Sequence, residues 1–341
     1  RDRNVLILCP WLSLLSQWES ELSGWGIDHY VFHGDNREIP KGCNVVLTTP
    51  WTFNNCKKSS GFFPDTIVID EAHVGISETY ASIYEHFSEA VRWAITATPV
   101  CLSSTESTLK DWFGEMKEAR NVEQLFEEGV LLKPQLFDDT SLSDKQEKVM
   151  DRDKSKDFTT TTLSKLGVIE GKDAFSCLAA FNRRVSGKTN ERTIIYAIDQ
   201  KHARRVRDDF NEAGVSAEVV LADVPEKERQ GVFSRFHSGE TKVLVNVSCL
   251  VAGFDEKLAT HCIIARPTRS LPLFLQMCGR VMRANSETDY AQVIDLANTL
   301  MSCGLPTMAP NWANWWDNPK DMVNPWAMLE FGEWVEGGGL E

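Results

Sequence analysis

Apolar runs of three or four residues, rich in β-branched side chains, recur along this chain and alternate with stretches of helical spacing. Val5-Leu6-Ile7-Leu8 runs into Cys9-Pro10, Val45-Val46-Leu47 into Thr48-Thr49-Pro50, Ile67-Val68-Ile69 into Asp70-Glu71-Ala72-His73, and Trp93-Ala94-Ile95 into Thr96-Ala97-Thr98-Pro99. A strand that is apolar along its whole length is covered on both faces, which is the pattern of a parallel sheet between layers of helix. The fold class that follows is α/β. The four polar ends should lie along one edge of one sheet, where open α/β sheets bind their ligands. After the first run, Trp11, Leu14, Leu15, Trp18 and Leu22 recur at the spacing of one helix face.

The alternation breaks from about Ser103 to Lys188. This stretch is rich in charged and hydroxyl residues, among them Asp138-Asp139, Asp151-Arg152-Asp153 and the threonines Thr159 to Thr162, and reads as a junction with surface helices and a partly mobile linker. The pattern resumes with strands at Thr193 to Tyr196, Val219 to Leu221, Val243 to Val245, Cys262 to Ile264 and Val293-Ile294, and with a helix from Gln200 to Ala213 stopped by Gly214. The expected organisation is a first α/β domain over 1–135, a linker over 136–190, a second α/β domain over 191–300 and a tryptophan-rich tail over 301–341.

Composition excludes several classes. A chain of 341 residues can bury two cores, and no run approaches the roughly 20 apolar residues of a membrane helix. No signal-like N-terminus is present. Nine scattered cysteines without a Cys-x-x-Cys pair indicate neither a disulfide framework nor a zinc site, so a cytoplasmic protein is expected, without a membrane partner and as a monomer. A net charge of −13 argues against holding nucleic acid by bulk electrostatics, but it leaves room for basic residues lining one groove.

Two motifs carry chemistry. Asp70 and Glu71 are delivered to the carboxyl end of a buried strand, and Gln276-Met277-Cys278-Gly279-Arg280-Val281-Met282-Arg283 follows in the second half. Phosphoryl transfer needs a metal on the terminal phosphates, a group that orients or deprotonates the attacking water, and positive charge on the transferring oxygens. Asp70 suits the first role, binding Mg2+ through metal-bound water, and Glu71 suits the second as general base. His73 either couples the nucleotide site to Thr96 or Thr98 or simply packs. If Leu271 to Arg283 is one helix with Pro272 in its first turn, Gln276, Arg280 and Arg283 share a face while Phe274, Cys278, Val281 and Met282 pack on the sheet. Gly279 would let backbone approach closely.

In order and content these motifs resemble the two RecA-like domains of superfamily 2 DEAD/DEAH-box helicases, and within them the XPB-like and RadD-like branch of bacteria and phages. The resemblance runs from Val5 to about Leu305. It takes in Cys9-Pro10 through Gln17, Thr48-Thr49, Asp70 to His73, Thr96-Ala97-Thr98, Ile194 to His202, Asn246 through Asp255 and Gln276 to Arg283, with Ala265 to Ser270 as a further likeness. It implies two parallel-sheet domains with an ATP and Mg2+ cleft between them. Arg280 and Arg283 would then reach the γ-phosphate from the second domain, and Gly253 and Asp255 would lie in a loop that touches nucleotide and nucleic acid together. Val100-Cys101, where relatives often carry an arginine, departs from the pattern.

A nucleic-acid track is expected at strand ends and helix starts, on Ser13, Gln17, Thr48, Thr49, Ser248, Thr268 and Arg269, where hydroxyls and amides hold phosphates without reading sequence. Trp51 is expected in the core in preference to stacking on nucleic acid, Arg204, Arg205 and Arg207 on a solvated face, and the tail tryptophans Trp312, Trp315, Trp316, Trp326 and Trp334 docked on the second domain in preference to forming a stacking platform. No Gly-x-x-x-x-Gly-Lys-Ser/Thr loop occurs, since Gly187-Lys188-Thr189 lacks the earlier glycine. The expectation is a fragment with an incomplete first domain and deficient ATPase activity. The function expected is an ATP-dependent helicase or translocase, on DNA in preference to RNA. The alternatives are a nucleic-acid-binding scaffold with a decayed nucleotide site, or an RNA helicase or restriction-type translocase with the same motor.

Overall fold

The computed structural model describes residues 3–34, 38–57, 61–75, 77–100, 108–140, 142–153, 157–168, 176–221, 224–247, 258–285 and 288–318. The chain divides into two compact units, one running to Glu118 and resuming at Asn311, the other spanning Ala119–Pro310.

The first unit holds β1 (Val5–Leu8), α1 (Leu12–Gly24), β2 (Tyr30–Val31), β3 (Val45–Thr48), α2 (Pro50–Cys56), β4 (Thr66–Ile69), a single 3-10 turn (Ala72–Val74), α3 (Glu78–His86), β5 (Val91–Ala94) and α4 (Leu109–Phe113). Its strands form one parallel sheet in the order β2-β3-β1-β4-β5, so the four polar ends do share an edge. Val5 pairs with Val45 on one side and Thr66 on the other. Alternate residues of these strands feed two cores. Leu6, Leu8, Ile67 and Ile69 pack with Phe53, Tyr80, Ile83 and Tyr84 from α2 and α3, while Ile7 and Leu47 pack with Leu14, Leu15 and Leu22 of α1. Strand β5 is an edge, with Val91 and Trp93 exposed. Trp51 is 72% exposed, correcting the core expectation: α2 turns Phe53 inward, which leaves Trp51 outside.

The second unit continues with α5 (Val122–Glu127), β6 (Gln135–Asp138), α6 (Asp144–Arg152), α7 (Thr160–Val168), α8 (Cys177–Arg184), β7 (Thr193–Tyr196), α9 (Gln200–Glu212), β8 (Ala217–Val220), α10 (Glu226–Ser238), β9 (Val243–Asn246), β10 (His261–Ile264), α11 (Leu271–Gly279), β11 (Gln292–Asp295) and α12 (Thr299–Cys303). The sheet is parallel throughout, in the order β6-β11-β10-β7-β9-β8. Strands β7, β9, β10 and β11 are buried at every position. The stretch expected to be a linker is corrected here. Its β6 pairs with β11, and Met150, Phe158, Leu163, Leu166, Ala180 and Phe181 from α6 to α8 enter the core of this unit. Apolar side chains spaced widely among charges still cover one face of a sheet.

The tail is also corrected. Helix α13 (Trp312–Asp317) belongs to the first unit, not the second: Trp316 packs into the core that holds Trp112 and Phe113 of α4, and Lys110 reaches Asp317 at 2.8 Å. Trp312 and Trp315 are buried and stack edge to face, whereas Trp326 and Trp334 lie outside the described residues. No helix among the described residues is long and apolar enough to cross a membrane.

Candidate active site

The end of β4 gathers the acidic pair. The Asp70 amide donates to the Leu8 carbonyl at 3.0 Å, so pairing with β1 continues one residue beyond the strand. Glu71 then takes φ +49°, a left-handed conformation that costs a side-chain-bearing residue free energy and is found where a site demands it. The turn this creates closes with the Ala72 amide on the Ile95 carbonyl, 3.0 Å, and so joins the tetrad to the loop after β5.

Across that junction runs a polar network. His73 Nδ1 lies 3.1 Å from Thr96 Oγ1 and 3.3 Å from Glu71 Oε2. Thr96 Oγ1 accepts from the Thr98 amide at 3.1 Å and donates to the Thr98 carbonyl at 3.2 Å. With the Thr96 proton directed to the Thr98 carbonyl, its oxygen is left to accept from His73. The neighbouring carboxylate of Glu71 favours the same choice, which makes His73 the Nδ1–H tautomer. Burial pushes its pKa down to about 4 against an opposing pull from Asp70. His73 therefore bridges the turn after β4 and the loop after β5 through its contact with Thr96.

The sign of the pH dependence follows. An unfolded histidine titrates near 6.5, so between pH 6.5 and about 4 the unfolded chain binds the proton that folded His73 refuses. Stability contributed by neutral His73 is present above pH 6.5 and is lost as pH falls through that window. His261, buried at the start of β10 and also depressed to about 4, adds a loss of the same sign. Nitrogen-15 NMR of the histidine rings should show His73 neutral and protonated on Nδ1 at pH 5; a His73 ring that charges near pH 6.5 would refute the network.

One site contact had escaped the sequence. Trp18 Nε1 donates to Asp70 Oδ2 at 2.8 Å, while Oδ1 accepts from the Glu71 amide at 2.8 Å. Trp18 sits at a core spacing of α1, and periodicity reports a face of a helix, not a partner. Nearby, the buried hydroxyls of Tyr80 and Thr98 have no hydrogen-bond partner among the described residues.

Two of the expected phosphate-binding threonines are committed elsewhere. The Thr48 hydroxyl is wholly buried and donates to the Phe32 carbonyl at 2.8 Å, and Thr49 caps α2 by accepting from the Thr52 amide. Ser13 and Gln17 lie half-buried in α1.

In the second unit Ser270 caps α11 through the Leu273 amide, and Pro272 stands in the first turn as expected. The helix does not reach Arg283. It stops at Gly279, Arg280 follows as its cap and is 8% exposed, and Arg283 forms an antiparallel bridge with Leu131. The flanking bonds, from the Leu132 amide to the Met282 carbonyl at 2.6 Å and from the Ala284 amide to the Val130 carbonyl at 3.2 Å, extend the backbone where a helix had been expected. Gln276, Arg280 and Arg283 thus do not share one helix face. Val281 and Met282 are buried as expected, beside Phe274 and Cys278. Among the described residues, nothing outside its own helix backbone and chain neighbours lies within 4 Å of where a Gly279 side chain would begin. Thr268 donates to Asp157 at 3.0 Å; Arg269 donates to the Asp153 carbonyl at 2.6 Å and the Met150 carbonyl at 3.1 Å, and stacks on Phe158. Arg269 thus ties the end of α6, and Thr268 the segment after it, to the rest of the unit, which gives both side chains a structural duty. Ser248, Gly253 and Asp255 lie outside the described residues.

Comparison with known proteins now bears on this arrangement. Residues 174–285 match the helicase conserved C-terminal domain, and residues 1–101 match the type III restriction enzyme, res subunit. A 51.5 kDa protein of a Lactococcus phage is 31% identical over 254 residues, 74% of this chain and 54% of the phage protein, so the chain spans about half that relative's length. The DNA 3'-5' translocase XPB2 of Sulfurisphaera tokodaii is 24% identical over 310 residues, 82% of this chain and 69% of its own. Among solved structures, a fragment of an HsdR subunit of a type I restriction enzyme from Vibrio vulnificus superposes with a TM-score of 0.61 at 19% identity, over 90% of this chain and 55% of that one, a likeness of fold. With two parallel sheets, an acidic pair at a strand end and both domain families in this order, the chain belongs to the superfamily 2 helicases.

Proposed function

We propose that the chain is the motor part of an ATP-dependent helicase or translocase acting on DNA, of the XPB-like branch. The observation that carries this reading is the acidic pair at the end of β4, with Glu71 held in a left-handed turn and tied through His73 and Thr96 to the loop after β5. That loop can report on the nucleotide, because any shift of Glu71 is felt at Thr98. The XPB2 relative supports DNA as the substrate.

Magnesium fits the donor set. An octahedral Mg2+ takes one or two carboxylates and the phosphates of its nucleotide, not an all-protein cage. Among the described residues no cluster of three or more His, Cys, Asp or Glu forms such a cage, while Asp70 keeps about half of its roughly four lone-pair sites after accepting two N–H groups. When bound with ATP the ion would neutralise charge on the phosphates. Asp70 would hold it, Glu71 would take the proton of the attacking water, and Arg280 and Arg283 are the proposed source of positive charge on the phosphates. Gln276, Gly253 and Asp255 complete the proposed nucleotide contacts. For nucleic acid, Ser13 in the first turn of α1 and Gln17 one turn further on remain the proposed contacts, with Ser248.

A second reading is translocation on duplex DNA without strand separation, favoured by the match of residues 1–101 to the restriction-enzyme subunit. One experiment tests the proposal. The chain extended at its N-terminus by a segment that carries a Gly-x-x-x-x-Gly-Lys-Thr loop between a strand and a helix should hydrolyse ATP faster when DNA is added, and the chain without it should not. Hydrolysis stimulated by RNA and indifferent to DNA would overturn the DNA assignment, and equal turnover with and without the loop would overturn the need for it. Displacement of a triplex-forming strand without duplex unwinding would select the second reading.

A further inference from the structure

We propose that Trp18 is a positioning residue for the Asp70 carboxylate. The inference rests on the reading of Asp70 as the metal-holding carboxylate and adds what fixes its orientation. Strand β1 lies between β3 and β4, and α1 follows β1. Trp18 packs among Ile7, Leu14, Leu15, Leu22 and Val68, so the indole is held by the same cluster that anchors α1 to the sheet. From there its N–H reaches Oδ2 of Asp70 on the neighbouring strand at 2.8 Å. The Glu71 amide takes Oδ1 at the same distance, and the Asp70 backbone is tied to Leu8.

Each carboxylate oxygen therefore carries one fixed donor, and rotation about the bond to the carboxyl carbon would break both contacts. A tryptophan N–H donates and cannot accept, so it imposes a direction without competing for a cation. Partners of this kind orient metal ligands and are worth about 10- to 100-fold in metal affinity. Gln17, beside Trp18 on the same rigid helix, is a proposed nucleic-acid contact, which places the track and the carboxylate on one lever.

The test uses the chain as it stands, labelled with nitrogen-15, and Mn2+ alone as the probe. Trp18 is one of eleven tryptophans, and its indole resonance is the one missing from Trp18→Phe. In Asp70→Ala this resonance should move, since its acceptor is gone. In the parent, Mn2+ should broaden it before those of Trp25 and Trp312, and Asp70→Ala should abolish that broadening. Trp18→Phe keeps an aromatic ring, smaller than the indole, and loses the donor; it should weaken Mn2+ binding, read by electron paramagnetic resonance, about tenfold. Should Trp18→Phe melt early, Trp18→Tyr supplies the assignment and the Asp70→Ala spectrum decides. A Trp18 resonance unmoved by Asp70→Ala, or Mn2+ binding in Trp18→Phe equal to the parent's while Asp70→Ala loses it, overturns the positioning role. Mn2+ binding by Asp70→Ala as tight as the parent's overturns instead the metal role of Asp70.

Discussion

Glu71→Gln, in the chain joined to a phosphate-binding loop, should lower ATP turnover by about 10²- to 10⁴-fold, the range a positioned general base contributes. The substitution is close to isosteric. The introduced amide would keep a carbonyl oxygen for the donor on His73, which lies 3.3 Å from Glu71 Oε2, and it meets the same backbone demand at φ +49°. What it loses is the ability to take a proton. An interaction made only in the transition state lowers kcat and leaves ground-state binding alone, so affinity for ATP should be unchanged. Steady-state hydrolysis together with binding of a fluorescent nucleotide checks both halves, and turnover equal to the parent's would remove Glu71 from the base role.

The second large effect is expected at the arginines. Replacing Arg280 or Arg283 by Ala should cost about 10³- to 10⁵-fold in hydrolysis, the scale of arginine fingers, with little change in nucleotide affinity. Lysine should rescue poorly, because a point charge does not reproduce a planar fork of donors. The two positions differ in what else they do. Arg280 is 8% exposed at the cap of α11, so its variants should also melt earlier, whereas Arg283 is half-buried in a backbone bridge that any side chain can make. Thermal melts beside the kinetics separate the effects. Full turnover in both alanine variants at saturating DNA would sink the two-unit motor mechanism.

The strands were the most legible part of this sequence, because a parallel sheet buried on both faces leaves uninterrupted apolar runs such as Thr193 to Tyr196. Strand β6 was lost for the converse reason: Gln135 and Asp138 flank only two apolar residues, and the charged surroundings read as a linker. The end of α11 was misread although a glycine stood at the break, since the spacing of Gln276, Arg280 and Arg283 suggested a helix face more strongly than Gly279 suggested a stop. The acidic pair and its threonine loop were visible because strand ends place them. Trp18 was not, because an indole at a core spacing looks the same whether its nitrogen meets a carboxylate or nothing. Thr48 and Arg269 were assigned outward from their positions and turned inward in the fold, where a carbonyl, a helix end and a ring claim them.

Among the described residues, the return of α13 to the first unit takes the polypeptide from one unit to the other near Glu118 and back near Pro310. Residues between those points form a closed loop whose two ends are fastened to one body. Closing so long a loop adds little entropy cost, since that cost grows only with the logarithm of length. The gain is in connectivity: a protease that nicks either crossing leaves the halves joined by the other. It also sets a rule for dissecting the molecule, because a first unit cut from residues 1–118 alone would lack the Trp316 ring that fills its core.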